Sequence, residues 1–198
     1  MGISEINYDI QFEPIFSDFT FKGIEILSFK TSSSNKFVLN CAEIKIQKCY
    51  IISNSKTIDT SFKLDAKKET LSLSTKSNVT GKIKLCIEYT GILNDRLLGF
   101  YRSKYTDSKG KTKYLATTQF EAADARRAFP CWDDPATKAT FDVSLLVEKH
   151  HMAISNMPIM KKQNFGSKII YEFERTPIMS TYLLYLGVGE FEFIEDKL

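Results

Sequence analysis

Apolar residues recur at every second position through most of the first 120 residues, and almost nowhere at the three-to-four spacing of a helix. Ile6, Tyr8, Ile10 and Phe12 alternate with polar neighbours, which predicts a half-buried strand that ends at Pro14. Phe19 and Phe21 resume the pattern, Gly23 allows a bend or bulge, and Ile24, Ile26 and Phe29 continue it. Short strands follow at 36–39, 44–46 and 50–52. Residues 62–64 and 71–73 read as a hairpin, and Ile83, Leu85, Ile87 and Tyr89 alternate cleanly. A chain patterned this way cannot bury its apolar residues as a helical bundle.

The texture changes after Gly91. An apolar and aromatic run, 97–101, leads to a polar turn at Asp107-Ser108 and Gly110, then to an extended run over 114–120. Residues 122–129 have the composition for about two helical turns, closed by Pro130. Phe141, Val143, Leu145 and Val147 alternate again. A hairpin is expected between 152–154 and 169–173, and a last strand pair, 182–186 with 190–194, across a turn at Gly187-Val188-Gly189. Many short strands with one helical interruption argue for an all-β, mostly antiparallel, β-sandwich-like stack of curved sheets with at most one or two short helices. The expected organisation is one β domain over 1–198, because 198 residues without a linker or repeat fit one core.

Composition narrows the function classes. With 27 Lys and Arg against 24 Asp and Glu, the charge is nearly balanced, and the lysines are spread between apolar positions. A nucleic-acid surface would gather them on one face, so none is expected. No stretch approaches the length of an apolar membrane span, and no leader is legible, so neither a membrane partner nor export is expected. Cys41, Cys49, Cys86 and Cys131 are scattered, which reads as free buried thiols in a reducing, cytoplasmic setting. The only histidines, His150 and His151, are adjacent. On a strand they would face opposite ways, so no metal site and no cofactor are expected within this chain.

The densest polar chemistry lies between Gln119 and Pro135, where Arg126 and Arg127 sit among Glu121, Asp124, Asp133 and Asp134 and beside Phe129 and Trp132. Asp124, Arg126, Arg127, Trp132 and Asp133 read as a structural network around a loop crossing. Gln119 and Glu121 are two apart at a strand end, so both side chains reach the same side. An amide and a carboxylate there form a pair suited to a protonated amine; the carboxylate is equally suited to the N-terminus of the following short helix.

Several runs also resemble the N-terminal domain of the M1 family of zinc aminopeptidases. They are Gly99-Phe100-Tyr101-Arg102-Ser103, Thr117-Thr118-Gln119-Phe120-Glu121, Asp124-Ala125-Arg126-Arg127-Ala128-Phe129-Pro130-Cys131-Trp132-Asp133, Ser155-Asn156-Met157-Pro158 and Thr176-Pro177-Ile178-Met179-Ser180. The resemblance implies a saddle-shaped assembly of β-sheets packed on a zinc-bearing catalytic domain. Gln119 then lies beside the pocket for the first side chain, and Glu121 helps bind the free α-amine of the peptide N-terminus. The chain departs from the family's Pro-Thr after that glutamate with Ala122-Ala123. It contains no His-Glu-x-x-His, so no catalytic residue and no catalytic zinc domain are expected in it, and alone it is expected to be inactive. The implied partners are the catalytic domain, a peptide N-terminus, and a second copy through the exposed inter-domain face. The alternative is a naturally short, non-catalytic peptide-binding or adaptor protein related to the same domain.

Overall fold

A computed structural model describes residues 2–192 and 194. The chain opens with β1 (Ile3–Ile15), β2 (Thr20–Asn40), β3 (Lys45–Ser53), β4 (Lys56–Ile58), β5 (Thr60–Asp65) and β6 (Thr70–Ile92). It continues with β7 (Gly99–Thr106), β8 (Thr112–Gln119), β9 (Thr140–Glu148), β10 (Met152–Ser155), β11 (Ile159–Phe165), β12 (Lys168–Phe173) and β13 (Leu186–Gly189). A nine-stranded sheet runs in the order β11-β12-β9-β1-β2-β6-β3-β4, with β5 also paired to β6; a second sheet runs β10-β13-β8-β7. Apart from the parallel β1–β9 pair, the strand pairs are antiparallel. This is the all-β, two-sheet architecture the alternation implies. Its helical content among the described residues is two single 3-10 turns, Ala125–Arg127 and Thr181–Leu183.

Alternation sets the core. Tyr8, Ile10 and Phe12 of β1 are fully buried, as are Phe21, Leu27 and Phe29 of β2. The sheets meet through aromatic rings: Phe100 of β7 lies 5.7 Å from Phe12 and 5.3 Å from Phe21, centroid to centroid. Edge and tilted contacts of this kind add to simple area burial. Lys45, Lys48, Lys63, Lys67, Lys68, Lys82 and Lys84 are all exposed. The four cysteines are free and buried, and burial pushes the thiols of Cys41 and Cys49 up to about 12, so they are protonated and inert at neutral pH.

Six local expectations need correction. Pro14 does not end β1: it pairs with Phe21, beyond the part of β1 that β9 covers (Asn7 to Phe12), so its missing N–H breaks no ladder. Gly23 makes no bulge. It is in register between Phe12 and Tyr89, and a Cβ there would lie 2.2 Å from the Tyr89 ring. Residues 152–154 do not pair with β12; β11 does, around the turn at Gly166, while β10 joins the other sheet through β13. Gly187 and Gly189 belong to β13 rather than to a turn, where added Cβ atoms would meet the Tyr185 hydroxyl and Leu115 Cβ, each at 2.9 Å. The expected partner at 190–194 has no strand over 190–192, and its Phe193 lies outside the described residues. Finally, 122–129 holds one 3-10 turn rather than two helical turns.

Gly23 supplies a direct stability test. Tyr89 is 1% exposed and its ring has no room to retreat. Gly23→Ala is expected to cost about 1–3 kcal/mol through overpacking. Urea denaturation of the two proteins checks it by a lowered midpoint at unchanged slope.

Candidate functional site

Strand β8 ends at Gln119, paired with Gly99 of β7. Phe120, the next residue, turns inward and is 1% exposed, with its ring 6.1 Å from that of Phe129. That inward residue is why Gln119 and Glu121 both stand outside, on the exposed surface. The Glu121 N–H donates to Gln119 Oε1 at 3.2 Å, and the Glu121–Ala122 peptide bond is cis. The two residues paired in the sequence analysis are therefore side by side.

The loop behind them is tied down at many points. The ring of Phe129, fully buried, packs edge-on against Tyr8 at 5.6 Å and Phe12 at 6.3 Å. Cys131 and Asn40 exchange backbone hydrogen bonds of 3.0 and 2.7 Å. Trp132 donates its indole N–H to the Val38 carbonyl at 3.0 Å and its backbone N–H to the Tyr8 hydroxyl at 3.1 Å. Its ring stands edge-on to Phe29 at 5.0 Å.

Both arginines are consumed by carboxylates. Arg126 donates Nε to Asp133 Oδ2 at 2.9 Å and Nη1 to Glu69 Oε2 at 3.2 Å. Arg127 donates Nε to Asp124 Oδ1 at 2.8 Å, Nη1 to Glu43 Oε1 at 2.7 Å and Nη2 to Glu69 Oε1 at 3.0 Å. Burial opposes the charge on each guanidinium, but these carboxylates outweigh it and raise both pKa values. Asp133, buried, also accepts from the Thr181 hydroxyl at 3.1 Å and the Arg126 backbone N–H at 3.3 Å.

Glu43 and Glu69 were absent from the sequence expectation. They sit between β2 and β3 and between β5 and β6, at φ 58° and 51°. Nothing local marks them, because their role comes from folding distant turns onto one loop. The carboxylates of 119–135 then divide. Asp124 and Asp133 hold arginines, and Asp134 Oδ1 accepts the Ala136 N–H at 2.9 Å. The Glu121 carboxylate has no hydrogen bond or ion pair among the described residues, and it does not cap the 3-10 turn, whose N-cap is Asp124.

The histidines, expected on opposite faces of a strand, lie at a turn, where His151 N–H bonds the Glu148 carbonyl at 2.9 Å. Their rings are 4.1 Å apart. Burial, with a smaller push from His150, lowers the His151 pKa to about 4, so its imidazole is neutral at physiological pH.

Residues 4–183 match the family described as the peptidase M1 N-terminal domain. "Aminopeptidase 2" of Candida albicans is 42% identical over 199 residues, covering 98% of this chain and 21% of its own length. "Alanine/arginine aminopeptidase" of Saccharomyces cerevisiae is 41% identical over 201 residues, covering 99% and 23%. "Puromycin-sensitive aminopeptidase" of Caenorhabditis elegans is 36% identical over 199 residues, covering 96% and 21%. The chain thus spans about a fifth of the length of these relatives. A match across so much of the chain, on a two-sheet β fold with the resembling loop at a sheet end, places it in the M1 aminopeptidase family, as its N-terminal domain.

Proposed function

We propose that this chain forms one wall of the substrate cleft of a zinc-dependent aminopeptidase that removes N-terminal residues from peptides, with Glu121 as the anchor for the free α-ammonium. The observation that carries this reading is the Glu121 carboxylate, unpaired among the described residues, on a loop whose other carboxylates are engaged. An ammonium meeting it gains a charge-assisted hydrogen bond of about 2.8 Å. An internal peptide segment brings no cation, and would desolvate the carboxylate without replacing its water. Selection of free termini follows from that asymmetry. Gln119 fixes the anchor by accepting the Glu121 N–H, and in this reading, as the family resemblance implies, it lies beside the pocket for the first side chain.

Among the described residues no group suited to the hydrolytic zinc stands beside Glu121. The group of His, Cys, Asp or Glu side chains that converges among the described residues is His150, His151 and Glu190. It lies by Lys113, whereas Gln119 ends the same strand six residues on, roughly 20 Å away at strand rise. A metal acting on the first peptide bond must sit within about one residue, roughly 4 Å, of the anchored amine's Cα. The metal and the remaining catalytic groups are accordingly assigned to the rest of the enzyme, the proposed partner of this domain. Among the described residues no helix is long and apolar enough to cross a membrane. The buried free thiols support a reducing, cytoplasmic setting.

In the full-length enzyme, Glu121→Ala is expected to lower kcat/KM for free-amine peptides about 10–100-fold, the scale of one charge-assisted hydrogen bond. Zinc content should not change. Residual turnover of an N-acetylated peptide should be equal in the two proteins. Unchanged kcat/KM on free-amine peptides would reduce Glu121 to a loop residue and remove the anchor.

A further inference from the structure

The cluster at the far end of β8 has a chemistry of its own. β10 and β13 pair antiparallel with Met152 opposite Gly189, so the next residue outward on each strand, His151 and Glu190, is brought to the same end. His150 reaches the same point because it occupies the turn after β9 instead of a strand. One ligand-capable atom from each of the three side chains lies within 4.8 Å of the others. Ligands around a tetrahedral ion bound at about 2.1 Å are about 3.4 Å apart. A contraction of up to about 1.4 Å, available to the exposed His150 and Glu190, therefore closes the shell.

A second observation points to a ligand. His151 is 8% exposed and its Nδ1 is buried without a hydrogen-bond partner among the described residues. An imidazole nitrogen left in that state is uncommon in folded proteins and costly to desolvate. The ring is not free to turn out toward water: Phe16 packs on it with centroids 4.7 Å apart. These three side chains open onto a cavity of about 390 Å³ between the start of β8 and the end of β1. Lys113 donates to both oxygens of Glu190, at 2.6 Å to Oε2. Each carboxylate oxygen has a second lone pair, so Lys113 can orient Glu190 while one oxygen faces the histidines.

We propose that His150, His151 and Glu190 bind one borderline divalent transition-metal ion of the Zn²⁺ class, clipping the turn after β9 to the end of β13. Two imidazoles and one carboxylate match the donor preference of Zn²⁺ and are too few oxygens for Ca²⁺ or Mg²⁺. The proposal is independent of the role assigned to Glu121.

The test is calorimetric titration of Zn²⁺ into metal-depleted full-length protein, alongside His150→Ala, Glu190→Gln and Lys113→Ala. The wild-type protein is expected to bind one equivalent more than His150→Ala and Glu190→Gln, and added Zn²⁺ should raise its unfolding temperature more than theirs. Lys113→Ala should keep that equivalent, since removing a cation frees the carboxylate. Equal stoichiometry in wild type and His150→Ala would overturn the proposal. So would loss of the equivalent in Lys113→Ala to the same extent as in the ligand variants, or binding that saturates only at millimolar Zn²⁺.

Discussion

Asp133→Ala is expected to lower the thermal unfolding midpoint by roughly 6–20 °C. The Asp133 side chain is 1% exposed and Arg126 is 16% exposed, so their 2.9 Å contact is screened little by water. Truncation leaves a guanidinium with only Glu69, at 3.2 Å, and deprives the Arg126 N–H and the buried Thr181 hydroxyl of an acceptor. Removing one member of a buried pair costs about 3–5 kcal/mol, and each kcal/mol moves the midpoint by about 2–4 °C at this size. Asp133→Asn keeps acceptor capacity without charge and should fall between the two. Differential scanning calorimetry decides: a midpoint within a degree of wild type would mean that the network orients the loop without stabilising the fold.

Glu25→Leu should act in the opposite direction. Glu25 is fully buried in β2, and among the described residues both its carboxyl oxygens lack a partner and the buried Tyr89 hydroxyl is likewise unpaired. Burial pushes the Glu25 pKa well above the carboxylate range, so the folded protein holds it as a neutral acid. The unfolded chain ionises it near pH 4.3. Its proton is thus bound in both states below that pH. Above it the unfolded state alone gains by ionising, and stability falls as pH climbs toward the folded pKa. Leucine removes both that slope and an unsatisfied buried group worth about 1–3 kcal/mol. At pH 7 the variant should melt roughly 2–12 °C higher. The gap should narrow toward pH 4, and a gap constant between pH 4 and 7 would show that Glu25 ionisation is not linked to folding.

Much of the strand pattern could be read in the sequence, because alternation reports which face of a strand is buried: Tyr8, Ile10 and Phe12 point inward as their spacing requires. The same rule placed Gln119 and Glu121 together, with Phe120 inward between them. Alternation says nothing about neighbours. The pairing of β10 with β13 instead of β12 depends on contacts formed across the second sheet. Gly23 and Gly189 resemble turn residues locally, yet each is small because a side chain from elsewhere, Tyr89 or Leu115, occupies the place of its Cβ; at Gly187 the crowding side chain is Tyr185, two residues back. The arginine network was half legible: Asp124 and Asp133 lie near Arg126 and Arg127 in sequence, while Glu43 and Glu69 arrive from the turns after β2 and β5.

The parallel pairing of β1 with β9 sets a timetable for biosynthesis. Asn7 to Phe12 lie beside Thr140 to Leu145, 133 residues further on. At translation rates of about 5–20 residues per second, the ribosome needs roughly 7–27 s between making the two strands. Throughout that interval β1 can zip onto β2 but presents its other edge, with Tyr8, Ile10 and Phe12 lacking Phe141 and Phe129 as cover. An unpaired apolar edge is a template for other nascent chains. Within this domain the outer edge of β1 therefore stays uncovered on the ribosome until β9 emerges.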